Sequence, residues 1–457
     1  MSADSSSWQR WRPSADEPWN LQRVVHLHRR AGFAATWSEI QRDLAEGPQA
    51  SLDRILSGKS HTTGVPDDFA QMADVIGAAA VASGNSDRLE AWWLYRMLFS
   101  PDPLSERIAL MWHNHFATSN LKVDDDALMH QQNAIFRDYG RSCFGELLPL
   151  VVKHPAMLVW LDAQTNRKDH PNENLARELM ELFTLGVGHY TEADVQEAAR
   201  SLTGWTVVND SFREFDEYHD GGTKTIMGHT GNFRGDDLLP ILLEHPATSR
   251  RIAWRICNTF MGEDTVSQAA VDDLAAGLRE HELDVGWAVE TVLRSNAFFA
   301  STNLGNRVLS PVEFAVGAVR ALEVFDPPAS TFLLAEQVGR CGQELFHPPS
   351  VFGWEGGRAW INTRSLIATD NFVATLLDGK LHSPPCRFDA GALAQRHGIA
   401  CDPESLCRFF LQLLTVQDPP DDFINRLIDV AVSDKGADQV ATGLVRSILA
   451  APSAHLG

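Results

Sequence analysis

Cysteine is scarce in this chain, and what little there is stands apart. The six residues, Cys143, Cys257, Cys341, Cys386, Cys401 and Cys407, contain no CxxC pair, which argues against a zinc knuckle or a thioredoxin-type motif and leaves reduced or buried thiols. Long apolar runs are also missing. No stretch offers eighteen consecutive apolar residues, and the opening "MSADSSSWQRWRPSADEPWN" has no apolar h-region, so neither a membrane span nor a signal peptide is visible and the chain as written reads as cytoplasmic. Positive charge is in short supply as well: 39 Lys and Arg face 60 Asp and Glu, for a formal charge of −21. The field of such a surface repels phosphate backbones and anionic lipid, so nucleic acid is a poor partner. A local basic patch around Arg250, Arg251 and Arg255 could still hold one small anion, against the plainer reading of a solvated helix face. GxSxG, HExxH, P-loop and Rossmann fingerprints are absent, which disfavours the common named mechanisms.

What is present is helical texture over enough length, 457 residues, for a large core and more than one lobe. From Trp19 to about Phe116, amphipathic segments such as "WNLQRVVHLHRRAG", "TWSEIQRDLAEG" and "DRLEAWWLYRMLFS" break at Gly, Ser and Pro. Further helices are expected over 125–138 and 144–152. The stretch "GWTVVNDSFREFDEYHDGGTKTIMGHTG" interrupts the rhythm with β-branched and aromatic residues on either side of Gly221 and Gly222, predicting a β-hairpin or small sheet near 205–228. The fold class is therefore mostly α, a multi-helix bundle with a small β insertion. Residues 1–18 read as a flexible N-terminal segment, 19–380 as the main helical domain and 390–457 as a C-terminal helical region packed on it. No internal repeat is convincing: "KHPAM" and "EHPAT" share only a helix start.

Three polar clusters could carry chemistry. In "ALMWHNHFATSN", His113 and His115 flank Asn114 between apolar residues. On a regular helix they point about 200° apart and cannot share one ion, so a common site requires the helix to end there; the plain alternative is hydrogen-bonded packing. In "PNENLARELMELFTLG", a wheel at about 100° per residue places Asn174, Glu178 and Glu181 on one polar side, a spacing that lets carboxylates converge on a metal or proton-transfer site. The plain alternative is an exposed face on which Arg177 pairs with Glu173 and Glu181. In "EYHDGGTKTIMG", His219, Asp220 and Lys224 flank a Gly-Gly turn and could form a catalytic or anion-holding edge, or simply end a strand. A Pro-, Gly- and Trp-rich stretch, "FHPPSVFGWEGGRAW", looks like an ordered functional loop whose Trp354 borders the pocket.

The segments "MWHNHFATS", "KHPAMLVWLD", "NENLARELMELFTLGVGHYTEADVQEAARSLTGW", "HDGGTKTIMG" and "EHPATSRRIAWRI" occur in an order that resembles the large bacterial family called domain of unknown function 1800, from about Asn20 to at least Leu377. The resemblance implies little about activity. Many members look exported and are encoded beside a protein resembling the alkaline phosphatase and sulfatase superfamily, which implies a paired role at the envelope or on extracellular polymers; this chain departs in showing no leader. The favoured expectation is metal-assisted hydrolysis or group transfer on an anionic or polysaccharide substrate. His113 or His115 and Glu178 would bind zinc, manganese or iron, His219, Asp220, Lys224 and Glu181 would act in catalysis, and Asn174, Arg177, Arg251 and Trp354 would hold substrate. The alternative is a non-catalytic scaffold or maturation partner of the phosphatase-like neighbour. A sugar-binding module would draw on the 13 Trp, but no repeated aromatic platform supports it.

Overall fold

A computed structural model describes residues 7–58, 66–262, 265–417, 419–432 and 437–457. Among them run 24 α-helices, and the β structure consists of two small antiparallel pairs, a mostly α fold with a small β insertion. Helix ends follow local chemistry. Asp125 accepts from the Leu128 amide to start Asp126–Asp138, and Thr36 with Glu39, and Ser310 with Glu313, close reciprocal capping boxes. No helix is long and apolar enough to cross a membrane among the described residues.

One hydrophobic core runs from Trp11 to Ala454. Of the segment expected to be flexible, residues 1–6 lie outside the described residues, and the remainder is held against the body. Trp11 is buried with its amide donating to Arg294 O, and Trp8 Nε1 donates to Ala270 O at 2.8 Å. Two indoles carry too much apolar area to be left in water. The end of the chain returns to the beginning: Arg29 donates to the carbonyls of Ala454 and Leu456.

The β insertion differs in detail from the expected hairpin. β1 (Trp205–Val208) pairs with β2 (Ser211–Glu214), and β3 (Lys224–Ile226) with β4 (His229–Gly231). The turns are Asn209-Asp210 and Met227-Gly228, all four residues at positive φ, as two-residue hairpin turns require. Gly221-Gly222 is therefore not a hairpin turn. It lies in the connection between the two pairs.

Seven helices position the polar clusters: α1 (Ser86–Phe99), α2 (Pro103–His115), α3 (Asn174–Glu178), α4 (Glu192–Ser201), α5 (Pro246–Phe260), α6 (Pro311–Ala321) and α7 (Thr331–Arg340). α3 continues as a π-helical segment over Leu179–Thr184, where Thr184 Oγ1 bonds back to Leu179 O at 2.6 Å. α2 is buried almost throughout. The charge this forces inside is paired: Glu106 meets Arg96 and Arg137.

Candidate functional site

A cavity of about 490 Å³ opens where α2, the π segment, α5, the start of α6 and the 351–361 loop meet. Five arginines line it, Arg107, Arg251, Arg255, Arg307 and Arg358, against two glutamates, Glu313 and Glu355. In a chain of charge −21 this is a concentrated reversal of sign.

The arginines differ in what already satisfies them. Arg107 and Arg307 both pair with the buried carboxylate of Glu313. Burial alone would push Glu313 up, but the two guanidiniums pull it down to about 2. Arg251 and Arg255 sit one turn apart on α5 and so share a face, while Arg250, about 100° round the helix, turns away to pair with Asp272 at 2.8 Å. Arg251 Nε donates to Leu182 O at 3.2 Å, in the π segment. Arg255 has no ion pair or hydrogen bond from its side chain among the described residues. It is half-buried, its Nε is enclosed without a partner, and its neighbours are the Trp254 ring at 5.2 Å and Arg251. Burial, then Arg251, lowers its pKa to about 9. A buried cation without an acidic partner is costly to hold.

The cavity mouth is set by a close approach. Asn114 Oδ1 accepts from the Trp354 amide at 2.7 Å and Nδ2 donates to Trp354 O at 3.2 Å, fastening the loop to the end of α2. Gly353 makes this possible: its φ is +74°, and a Cβ there would stand 2.6 Å from Asn114 O and closer still to Oδ1. Trp354, at the wall, is 6% exposed.

Compared with family models, residues 26–456 match the one described as "Protein of unknown function (DUF1800)". The chain belongs to this family. No curated protein and no solved structure matches it.

The three polar clusters of the sequence lie in different surroundings. In the first, His115 lines the cavity and contacts the π segment, with Nε2 3.1 Å from Phe183 O. A carbonyl only accepts, so Nε2 carries the proton and Nδ1 is a buried acceptor without a partner. Burial, then Arg255 and Arg251, drives its pKa well down. His113 belongs to another environment: its Nε2 accepts from the Phe346 amide at 3.2 Å, and Trp93 and Phe346 face its ring. Its pKa falls to about 3 through burial and the charge of His347. His113, His115 and Glu178 do not form a set of converging ligands. Among the described residues the trio with ligand atoms within 4.8 Å of one another is Glu90, Glu344 and His347.

In the acidic segment, Asn174 and Arg177 are occupied outside the cavity: Asn174 Nδ2 donates to Leu161 O, and Arg177 pairs with Glu173 and Glu192. Arg177 does not pair with Glu181, which hydrogen-bonds the Tyr190 hydroxyl and acts electrostatically on Arg251. Glu178 is raised by burial and by the charge of Glu181. The hairpin trio forms a separate network. Asp220 pairs with Arg200 on α4 at 2.7 Å, and His219 Nδ1 is 3.0 Å from Thr203 O. Lys224 donates to the carbonyls of Asp220 and Gly222, at 2.5 and 3.1 Å. Reading the sequence missed Arg107, Arg307 and Arg358. The sequence offers one signal, the Arg250, Arg251 and Arg255 patch, of which Arg251 and Arg255 line the cavity and Arg250 does not.

Proposed function

We propose that the arginine-lined cavity is the ligand site of this chain and that it takes a molecule bearing a phosphate, sulfate or carboxylate group. The observation that carries this reading is Arg255, a cation at the cavity wall without an acidic partner, beside Arg251 whose Nε is met only by a carbonyl. Guanidiniums offer forked donors that match such oxyanions, and about 490 Å³ suits a small molecule or one end of a polymer. In the enzymatic form of the reading, hydrolysis or group transfer proceeds in the cavity beside His115, which lines it as a neutral imidazole. A phosphatase- or sulfatase-like partner would handle the same oxyanions. A binding-only role is the second reading, favoured by the ring cage of Trp112, Phe116, Phe144 and Phe183 around His115, which gives that imidazole a packing role. Calorimetric titration with phosphate, sulfate and a dicarboxylate tests the site: saturable binding to the parent and its loss in Arg255→Met are expected. Equal binding by both proteins would refute it. Turnover of aryl phosphate or sulfate esters, lost in His115→Gln, separates the two forms.

A further inference from the structure

Trp354 and Trp360 line a second cavity as well, of about 350 Å³, whose walls include Glu344 and His347. Both residues follow α7, on the stretch leading to the Trp354 loop. Glu90 reaches the same place from α1. Its Oε1 is 3.4 Å from His347 Nδ1, and Glu344 Oε1 is 3.4 Å from that same nitrogen. Glu90 is 4% exposed, and its side chain forms no other hydrogen bond or ion pair among the described residues. A carboxylate so enclosed ordinarily takes two or three donors. Here two carboxylates share one imidazole, an arrangement short of positive charge.

We infer that Glu90, Glu344 and His347 bind a divalent transition-metal ion, zinc, manganese or iron, with the remaining coordination positions open to the 350 Å³ cavity. One imidazole and two carboxylates suit these ions better than calcium or magnesium. Three protein ligands leave room for water or a ligand atom, as in reactive metal sites, whereas structural zinc sites are closed by four. Glu90 is fixed by its rigid helix; Glu344 and His347, three residues apart on a turn, close over it. His347 Nδ1 also lies 3.1 Å from Leu345 O, so without an ion it holds a proton there. Metal binding displaces that proton, and Nε2 then carries the one on the ring. None of this depends on the anion reading of the neighbouring cavity.

The full chain, stripped with a chelator and dialysed, is titrated with Zn²⁺ by calorimetry and with Co²⁺ by visible absorption, and metal content is measured after gel filtration. One equivalent is expected, with Co²⁺ d–d bands. Affinity should fall at least about tenfold in Glu344→Gln and in His347→Ala, since loss of even a supporting partner costs that much. It should not change in Glu178→Gln. Glu344 is more than half exposed, so its variant folds and decides the matter if His347→Ala does not. Absence of stoichiometric Zn²⁺ or Co²⁺ binding by the folded parent, or full retention in the cluster variants, overturns the site. Displacement of Zn²⁺ by equimolar Mg²⁺ overturns the choice of ion.

Discussion

Replacing Arg255 by methionine should make the protein more stable and less able to bind. The side chain has no acidic partner, and burial with Arg251 nearby brings its pKa from 12.5 to about 9. At about 1.4 kcal/mol per decade this corresponds to roughly 5 kcal/mol against the charged form below pH 9. Water in the open cavity screens part of that, and buried charges replaced by apolar groups of similar size have returned about 1–4 kcal/mol, so about 1–3 kcal/mol is the expected gain. For unfolding entropy of about 2.1 cal/mol/K per residue over 457 residues, 1 kcal/mol is worth about 1 °C. Differential scanning calorimetry should therefore show Arg255→Met melting about 1–3 °C above the parent without ligand. Phosphate at about 100 times its Kd should raise the parent by about 3 °C, from about 2.7 kcal/mol of linkage, and leave the variant where it was. The sign is the informative part, because a residue kept for packing or pairing destabilises when removed, whereas one kept for an absent anion does the opposite. A variant that melts lower than the parent by 1 °C or more, or still responds to phosphate, would refute the reasoning.

Gly353→Ala should force the 351–361 loop off α2, through both the positive φ and the approach to Asn114. A loss of about 2–4 kcal/mol is expected from backbone strain and the two Asn114 to Trp354 bonds, together with weaker phosphate binding; unchanged melting would show that the loop is not held this way. Lys224→Met leaves the carbonyls of Asp220 and Gly222 without their donor, so melting should fall by about 1–3 °C while phosphate binding stays intact. Loss of binding with normal melting would instead return the hairpin to the site. Glu313 titrates near pH 2 in the folded chain against 4.5 unfolded. A lowered carboxyl stabilises above its unfolded pKa and loses that contribution as pH falls, so Glu313 should account for a few kcal/mol lost between about pH 4.5 and 2. Guanidine unfolding of Glu313→Gln across that window should show a flatter pH dependence, and an identical slope would contradict the pairing with Arg107 and Arg307.

Local order was legible wherever one helix period governed. The apolar repeats and flanking caps placed Phe144–Val152 on its residues and Asp126–Asp138 within one residue of its start. The same rule misled in the acidic segment, because a wheel at about 100° per residue assumes i to i−4 bonding, and Leu179–Thr184 is π-helical. One extra residue in that turn changes which way Glu181 faces relative to Glu178. Nothing in "ELMELFTLG" announces it, since π turns are stabilised by their surroundings, here the His115 contact with Phe183 O. The helix does end at His115, the condition for a shared site, yet His113 and His115 sit in different surroundings, and Asn114, which the sequence left without a role, fastens the Trp354 loop.

The cavity itself could not be read from any one segment. Its arginines come from positions 107, 251, 255, 307 and 358, and each alone is an ordinary cation in an acidic chain. What distinguishes them is the balance of partners after folding: Arg107 and Arg307 share one carboxylate, while Arg255 has none. That balance is a long-range property, set by which helices meet. Folding gains nothing from concentrating guanidiniums at one wall, because burial and mutual repulsion both oppose it. The core would close more favourably with apolar residues there. Under the proposed function, such an arrangement, with an aperiodic glycine-dependent loop shaping its mouth, is balanced for a state in which an anion is present.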